Sequence, residues 1–203
     1  MKRLLCYGDS NTWGQAQHQV GMSKRIASDR QWPQILQHLL FNECLIIQEG
    51  LGGRVAGDFD TEKSYYNGKT SYEVVLRSAA PVDLVIIALG TNDLKVRYER
   101  TALQIADDLE WYVTQTQHVS PKFGVVPKVI FLLPPNFDPQ RFSASEENRQ
   151  QLMKIIKKSG QLYIEPPHLE LTGDGVHFTE NDHALIAKTI NTAIKQLEES
   201  NEI

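Results

Sequence analysis

The feature that most constrains this chain is a set of short, unbroken apolar runs spaced widely along it. They fall at residues 3–7, 44–48, 84–89, 128–133 and, more weakly, 161–164. The runs are continuous rather than alternating, the pattern of strands covered on both faces, and parallel sheets are built from such strands. The stretches between them are long enough for the helical crossovers that parallel strands require. Helices are predicted over 32–40, with Asp29 as a candidate cap, and over 73–79, 101–118, 145–158 and 180–197. In 101–118, Leu103, Ala106, Leu109 and Val113 share a stripe. In 145–158, Leu152, Ile155 and Ile156 point inward, and in 180–197 Ile186, Ile190, Ala193, Ile194 and Leu197 follow the helical period. The alternation predicts an α/β three-layer sandwich: one domain over residues 1–203, a central parallel sheet of about five strands, and helices on both faces.

Composition removes other classes. Apolar residues make up 41% and charged residues 23% of the 203, ordinary values for a globular protein. The net charge of −4 and the lack of a basic run argue against a general nucleic-acid binder. No apolar stretch approaches the ~20 residues that would span a bilayer. The first apolar run stops at Gly8-Asp9, shorter than the ~7–15 residues of a signal peptide core. A cytoplasmic protein is therefore expected, with Cys6 and Cys44 as buried, reduced thiols.

Ligands of open parallel sheets bind at the carboxyl ends of the strands. Four segments matter there: Gly8-Asp9-Ser10-Asn11, Glu49-Gly50-Leu51-Gly52-Gly53-Arg54, Gly90-Thr91-Asn92-Asp93 and, before the last helix, Asp174-Gly175-Val176-His177-Phe178. Each alone has a plain reading as a turn, a flexible loop or a helix cap. Together they hold what acyl transfer needs. Ser10 is a nucleophile once a base takes its proton, and His177 can be that base. Asp174, three residues earlier, can orient the imidazole. The backbone N–H groups of Ser10 and Gly53 and the side-chain amide of Asn92 can receive an oxyanion. Asp9 reads as a turn-orienting residue. Trp13 and Phe178 read equally as pocket wall or core. Arg54 reads as an anion binder or as an ion-pair partner of Asp58 or Asp93. Asp93 reads as a cap of the next helix or a buttress for Asn92. His168, His177 and His183 with Asp174 match no zinc spacing, and His18, His38 and His118 read as surface residues.

These blocks resemble those of the SGNH (GDSL-type) hydrolases, most closely the arylesterase/acyltransferase branch, whose first block reads GDS-x-TWG as Ser10-Asn11-Thr12-Trp13-Gly14 does. The resemblance spans residues 8 to 178. It implies a flavodoxin-like fold and a triad of Ser10, His177 and Asp174. It also implies an oxyanion hole of Ser10, Gly53 and Asn92, and no metal or organic cofactor. Position 11 is Asn where the family usually has Leu, and position 53 is Gly where the branch often has Ala, so Gly52 is an alternative donor. Asn11, Trp13, Arg54 and Phe178 are candidate substrate-binding residues. The expected function is a serine esterase of small or medium acyl esters, releasing the acyl group to water or to an alcohol. A homo-oligomer is compatible with the sequence, a neighbouring subunit completing the pocket. The alternatives are a carbohydrate acetylesterase or thioesterase on the same scaffold and, in a different class, a non-catalytic phosphate-binding module.

Overall fold

Strand β1 (Lys2–Gly8) lies inside the sheet, paired on one side with β2 (Cys44–Gly50) and on the other with β3 (Leu84–Ala88). Strands β4 (Lys128–Leu132) and β5 (Leu162–Ile164) follow, giving an all-parallel order β2-β1-β3-β4-β5 in the computed structural model, which describes residues 1–17, 24–41 and 43–203. This is the flavodoxin-like order, and its topological switch falls between β1 and β3. The predicted strands are all present, ending within two residues of the expected limits. His18 lies outside the described residues.

Helices alternate with the strands: α1 (Ser10–Trp13), α2 (Trp32–Leu39), α3 (Gly68–Ala79), α4 (Ala102–Val119), α5 (Ser143–Lys158) and α6 (Glu180–Glu199). Strand alternation sends successive side chains to opposite faces. Leu5, Tyr7, Val85, Ile87, Val129 and Phe131 face α3, α4 and α5, meeting Leu76, Tyr112 and Leu152. Leu4, Cys6, Ile46, Ile86, Ile130 and Ile164 face α2 and α6, meeting Trp32, Leu36, Ile186 and Ile190. Two apolar layers thus sandwich the sheet, and truncating any one buried leucine to alanine costs about 2–5 kcal/mol. Both cysteines are buried free thiols, as expected. Among the described residues, no helix is long and apolar enough to cross a membrane.

Three local expectations are corrected. Asp29 does not cap α2. It sits in a 3-10 turn, and α2 begins after Gln31 with Pro33 in its first turn. Leu103 is 59% exposed, because the buried stripe of α4 runs through Ile105, Ala106, Leu109 and Tyr112 instead. Helix α3 starts five residues early, at Gly68, through a polar first turn that carries no apolar period.

Candidate active site

Ser10 is the first residue of α1, immediately after β1. Asp9 caps this single turn, its Oδ1 accepting the Asn11 N–H at 2.9 Å, and Gly14 closes it with φ 86°. Burial raises the Asp9 carboxyl above its ordinary range, partly offset by the Asn11 N–H and by His177. Asp9 therefore orients the turn, as the sequence suggested. The turn sits directly on the end of β2. A Cβ at Gly50 would lie 2.2 Å from the Trp13 nitrogen, so only glycine lets Ser10 stand at this height.

The loop before α6 brings in the other end of the chain. His177 Nε2 lies 3.0 Å from Ser10 Oγ, and His177 Nδ1 lies 2.8 Å from Asp174 Oδ2. The second carboxylate oxygen of Asp174 accepts the N–H groups of Val176 and His177 and the Thr172 hydroxyl, at 3.0, 2.9 and 3.0 Å. The loop is fastened at both ends. Thr179 and Asp182 form a capping box at the start of α6. Asp182 also accepts the Glu170 and Leu171 N–H groups at 3.0 Å each. Beside Ser10, the Asn11 amide brackets the histidine. It donates to the Val176 carbonyl at 3.3 Å and accepts the Phe178 N–H at 3.1 Å.

The loops after β2 and β3 complete the rim. Asn92 Nδ2 donates to the Arg54 carbonyl at 3.0 Å, leaving its second amide hydrogen available. Gly53 adopts φ 81°, and a Cβ there would lie 2.9 Å from the Tyr66 ring. Among the described residues, no acceptor takes the N–H of Ser10 or of Gly53. Arg54 forms no ion pair with Asp58 or Asp93, contrary to that expectation. Its Nη1 donates to the carbonyls of Gly8 and Glu49 at 2.9 and 2.7 Å, and its guanidinium lies over the Tyr7 ring at 4.1 Å. Asp93 caps no helix. It is fully buried, and its carboxylate accepts the N–H groups of Ala56, at 2.9 Å, and Gly57, at 3.3 Å. Burial pushes its pKa up to about 6.

Ser10, Gly52, Gly53, Asn92, Asp174 and His177 all line one cavity of about 770 Å³. Of the candidate substrate-binding residues, none is part of that wall among the described residues. Asn11 and Arg54 are buried in the contacts given above. Phe178 is core, edge-on to His183. Trp13 is half-buried beneath the Arg25 guanidinium, 5.3 Å away. His183 is buried, its Nδ1 accepting the Trp32 N–H at 3.2 Å, and burial lowers its pKa to about 4. His38, His118 and His168 are exposed. Among the described residues, no group of three or more His, Cys, Asp or Glu side chains is placed to hold a metal. The wall also holds Tyr66, Phe137, Arg141 and Phe142, from the long irregular stretches 55–72 and 134–144 that the sequence marks as pocket-shaping, and Gln15, Lys95 and Arg97, which it does not single out. No spacing rule marks these side chains, because they come from loops and short 3-10 turns.

The strand order and the rim of loops at the β1/β3 switch define the fold of the SGNH hydrolases. The chain belongs to the GDSL-like lipase/acylhydrolase family, whose profile matches residues 6–185, and it is a carboxylic ester hydrolase. Among solved structures it is similar to the native aryl esterase of M. smegmatis, at 29% identity and TM-score 0.86, over 97% of this chain and 100% of that one. It is also similar to Est24, a carbohydrate acetylesterase from Sinorhizobium meliloti, at 26% identity and TM-score 0.87, over 97% and 100%. No curated protein matches the sequence. The non-catalytic phosphate-binding reading falls with the family assignment.

Proposed function

We propose that the whole chain, 1–203, acts as one SGNH domain that cleaves small or medium acyl esters through an acyl-enzyme on Ser10. The observation that carries this reading is the unbroken contact from Ser10 Oγ through His177 to Asp174, at 3.0 and 2.8 Å, on the wall of the large cavity. His177 Nε2 takes the hydroxyl proton as Oγ attacks the ester carbonyl carbon. Asp174 fixes the tautomer and stabilises the imidazolium. The carbonyl oxygen, now negative, accepts hydrogens from the N–H groups of Ser10 and Gly53 and from the Asn92 amide. His177 then gives its proton to the departing alcohol. Water, or an acceptor alcohol, repeats the sequence in reverse and frees Ser10. No step requires a cofactor. A cytoplasmic setting is inferred, supported by the two free thiols. The similarity to Est24 favours acetylated sugars as a second substrate group.

The test is Ser10→Ala, assayed on p-nitrophenyl acetate and by covalent labelling with a fluorophosphonate. The expected result is loss of labelling and a fall in kcat of at least about a thousandfold, with an unchanged melting curve. A folded Ser10→Ala protein that still turns over ester would overturn the assignment.

A further inference from the structure

We propose that the ester taken by this site carries a carboxylate, held by the Lys95 ammonium at the cavity wall; this rests on the reading of Ser10 and His177 above. The chain as a whole is acidic, with 25 Asp and Glu against 21 Lys and Arg, yet the cavity wall reverses that sign. Among the described residues it holds the cations Lys95, Arg97 and Arg141 and a single carboxylate, Asp174, whose oxygens are taken by His177, Val176 and Thr172. A concave wall of one sign concentrates ligands of the other.

The three cations differ in what they already hold. Arg141 donates to the Gly173 carbonyl and lies 3.6 Å from the Asp138 carboxylate. Arg97 donates to the Tyr98 hydroxyl at 2.8 Å and lies over that ring. Lys95 is half-buried, and among the described residues its ammonium forms no hydrogen bond or ion pair. The buried carboxylates that act on it through space are Asp9 and Asp93, and each is engaged by backbone N–H groups instead. Partial burial and the neighbouring Arg97 push the Lys95 ammonium below the usual lysine range, a strain that an incoming anion relieves.

Position completes the argument. Lys95 is three residues after Asn92, and its N–H donates to the Asn92 carbonyl at 3.2 Å, so the ammonium and the candidate oxyanion donor sit on one hydrogen-bonded turn. Tyr66, Phe137 and Phe142 supply apolar wall in the same cavity. The shape suits an ester with an apolar body, its carbonyl at Ser10 and an anionic end at Lys95. An ammonium offers three donors and no acceptor, which a carboxylate matches.

The experiment compares two matched pairs: 4-acetoxybenzoate against 4-acetoxybenzamide, with the charge on the leaving group, and p-nitrophenyl hemiglutarate against p-nitrophenyl valerate, with the charge on the acyl chain. The readout is the anionic-to-neutral ratio of kcat/KM in the wild type, Lys95→Met and Lys95→Arg. In at least one pair the wild-type ratio is expected to fall about tenfold in Lys95→Met and to be largely kept in Lys95→Arg. It is also expected to shrink as sodium chloride is raised, a measurement that needs no variant. Ratios that neither Lys95→Met nor salt moves in either pair overturn the inference. If the wild type also hydrolyses the neutral esters and takes the fluorophosphonate, the Ser10 reading survives that failure. If it does neither, both fall together.

Discussion

Asn11 and Phe178 are joined by one hydrogen bond, from the Phe178 N–H to the Asn11 side-chain oxygen at 3.1 Å, across 167 positions of sequence. The same amide donates to the Val176 carbonyl, so the residue after Ser10 holds the main chain on both sides of His177. The imidazole is therefore registered against the serine by a neighbour of the serine.

Asn11→Leu tests this clasp. Leucine is the residue usual at this place in SGNH hydrolases. It fills the volume but strands the buried Phe178 N–H, at a cost of about 1–3 kcal/mol. We expect that loss in urea unfolding, and a kcat about tenfold lower with KM little changed, since substrate contacts are not altered. A variant with unchanged stability and kcat would show that the bracket positions nothing.

Asn92→Ala removes a candidate oxyanion donor and the bond to the Arg54 carbonyl. The expected result is a kcat lower by about 100- to 1000-fold with a small change in KM, because the donor acts on charge that exists only in the transition state. Steady-state kinetics on p-nitrophenyl acetate decide it. A raised KM with kcat intact would make Asn92 a ground-state binder.

Asp93 predicts a pH effect on stability. Its carboxyl has a pKa of about 6 in the fold against an ordinary 3.8. Between those values the folded protein keeps a proton that the unfolded chain has released. The stabilisation is fully present below about pH 4 and is lost as pH rises through about 6, amounting to about 3 kcal/mol. Urea unfolding at pH 4 and pH 7.5 should therefore show the wild type losing about that much more than Asp93→Asn on going to the higher pH. Identical changes in the two proteins would refute the assignment.

What the sequence revealed and what it hid follow from range. The strands were legible because 84–88 and 129–132 are short runs, apolar without interruption and rich in branched side chains, which suit a sheet covered on both faces. The four blocks were legible because Ser10, Asn92, Asp174 and His177 are chemically distinctive and follow strands or precede a helix. Arg54 was misread because a charged side chain suggests a charged partner, whereas it found the carbonyls of Gly8 and Glu49. Nothing in local sequence announces a carbonyl brought near by folding. Leu103 was misread because a stripe drawn through 103, 106, 109 and 113 lies close to the true one, and only the placement of α4 on the sheet separates them. Lys95 went unremarked because a cation in a loop looks like any solvated charge until the loop is seen to line the cavity.

The contact of Tyr66 with Gly53 links two traits that would otherwise vary separately. The aromatic ring occupies the space that an alanine methyl would need at position 53. An alanine there would push the half-buried Tyr66 ring aside, and the φ of 81° at this position itself favours glycine. The candidate oxyanion backbone and the cavity wall are thus joined in space through this one contact. A change at position 53 is therefore felt first by the Tyr66 ring and, through it, by the shape of the cavity.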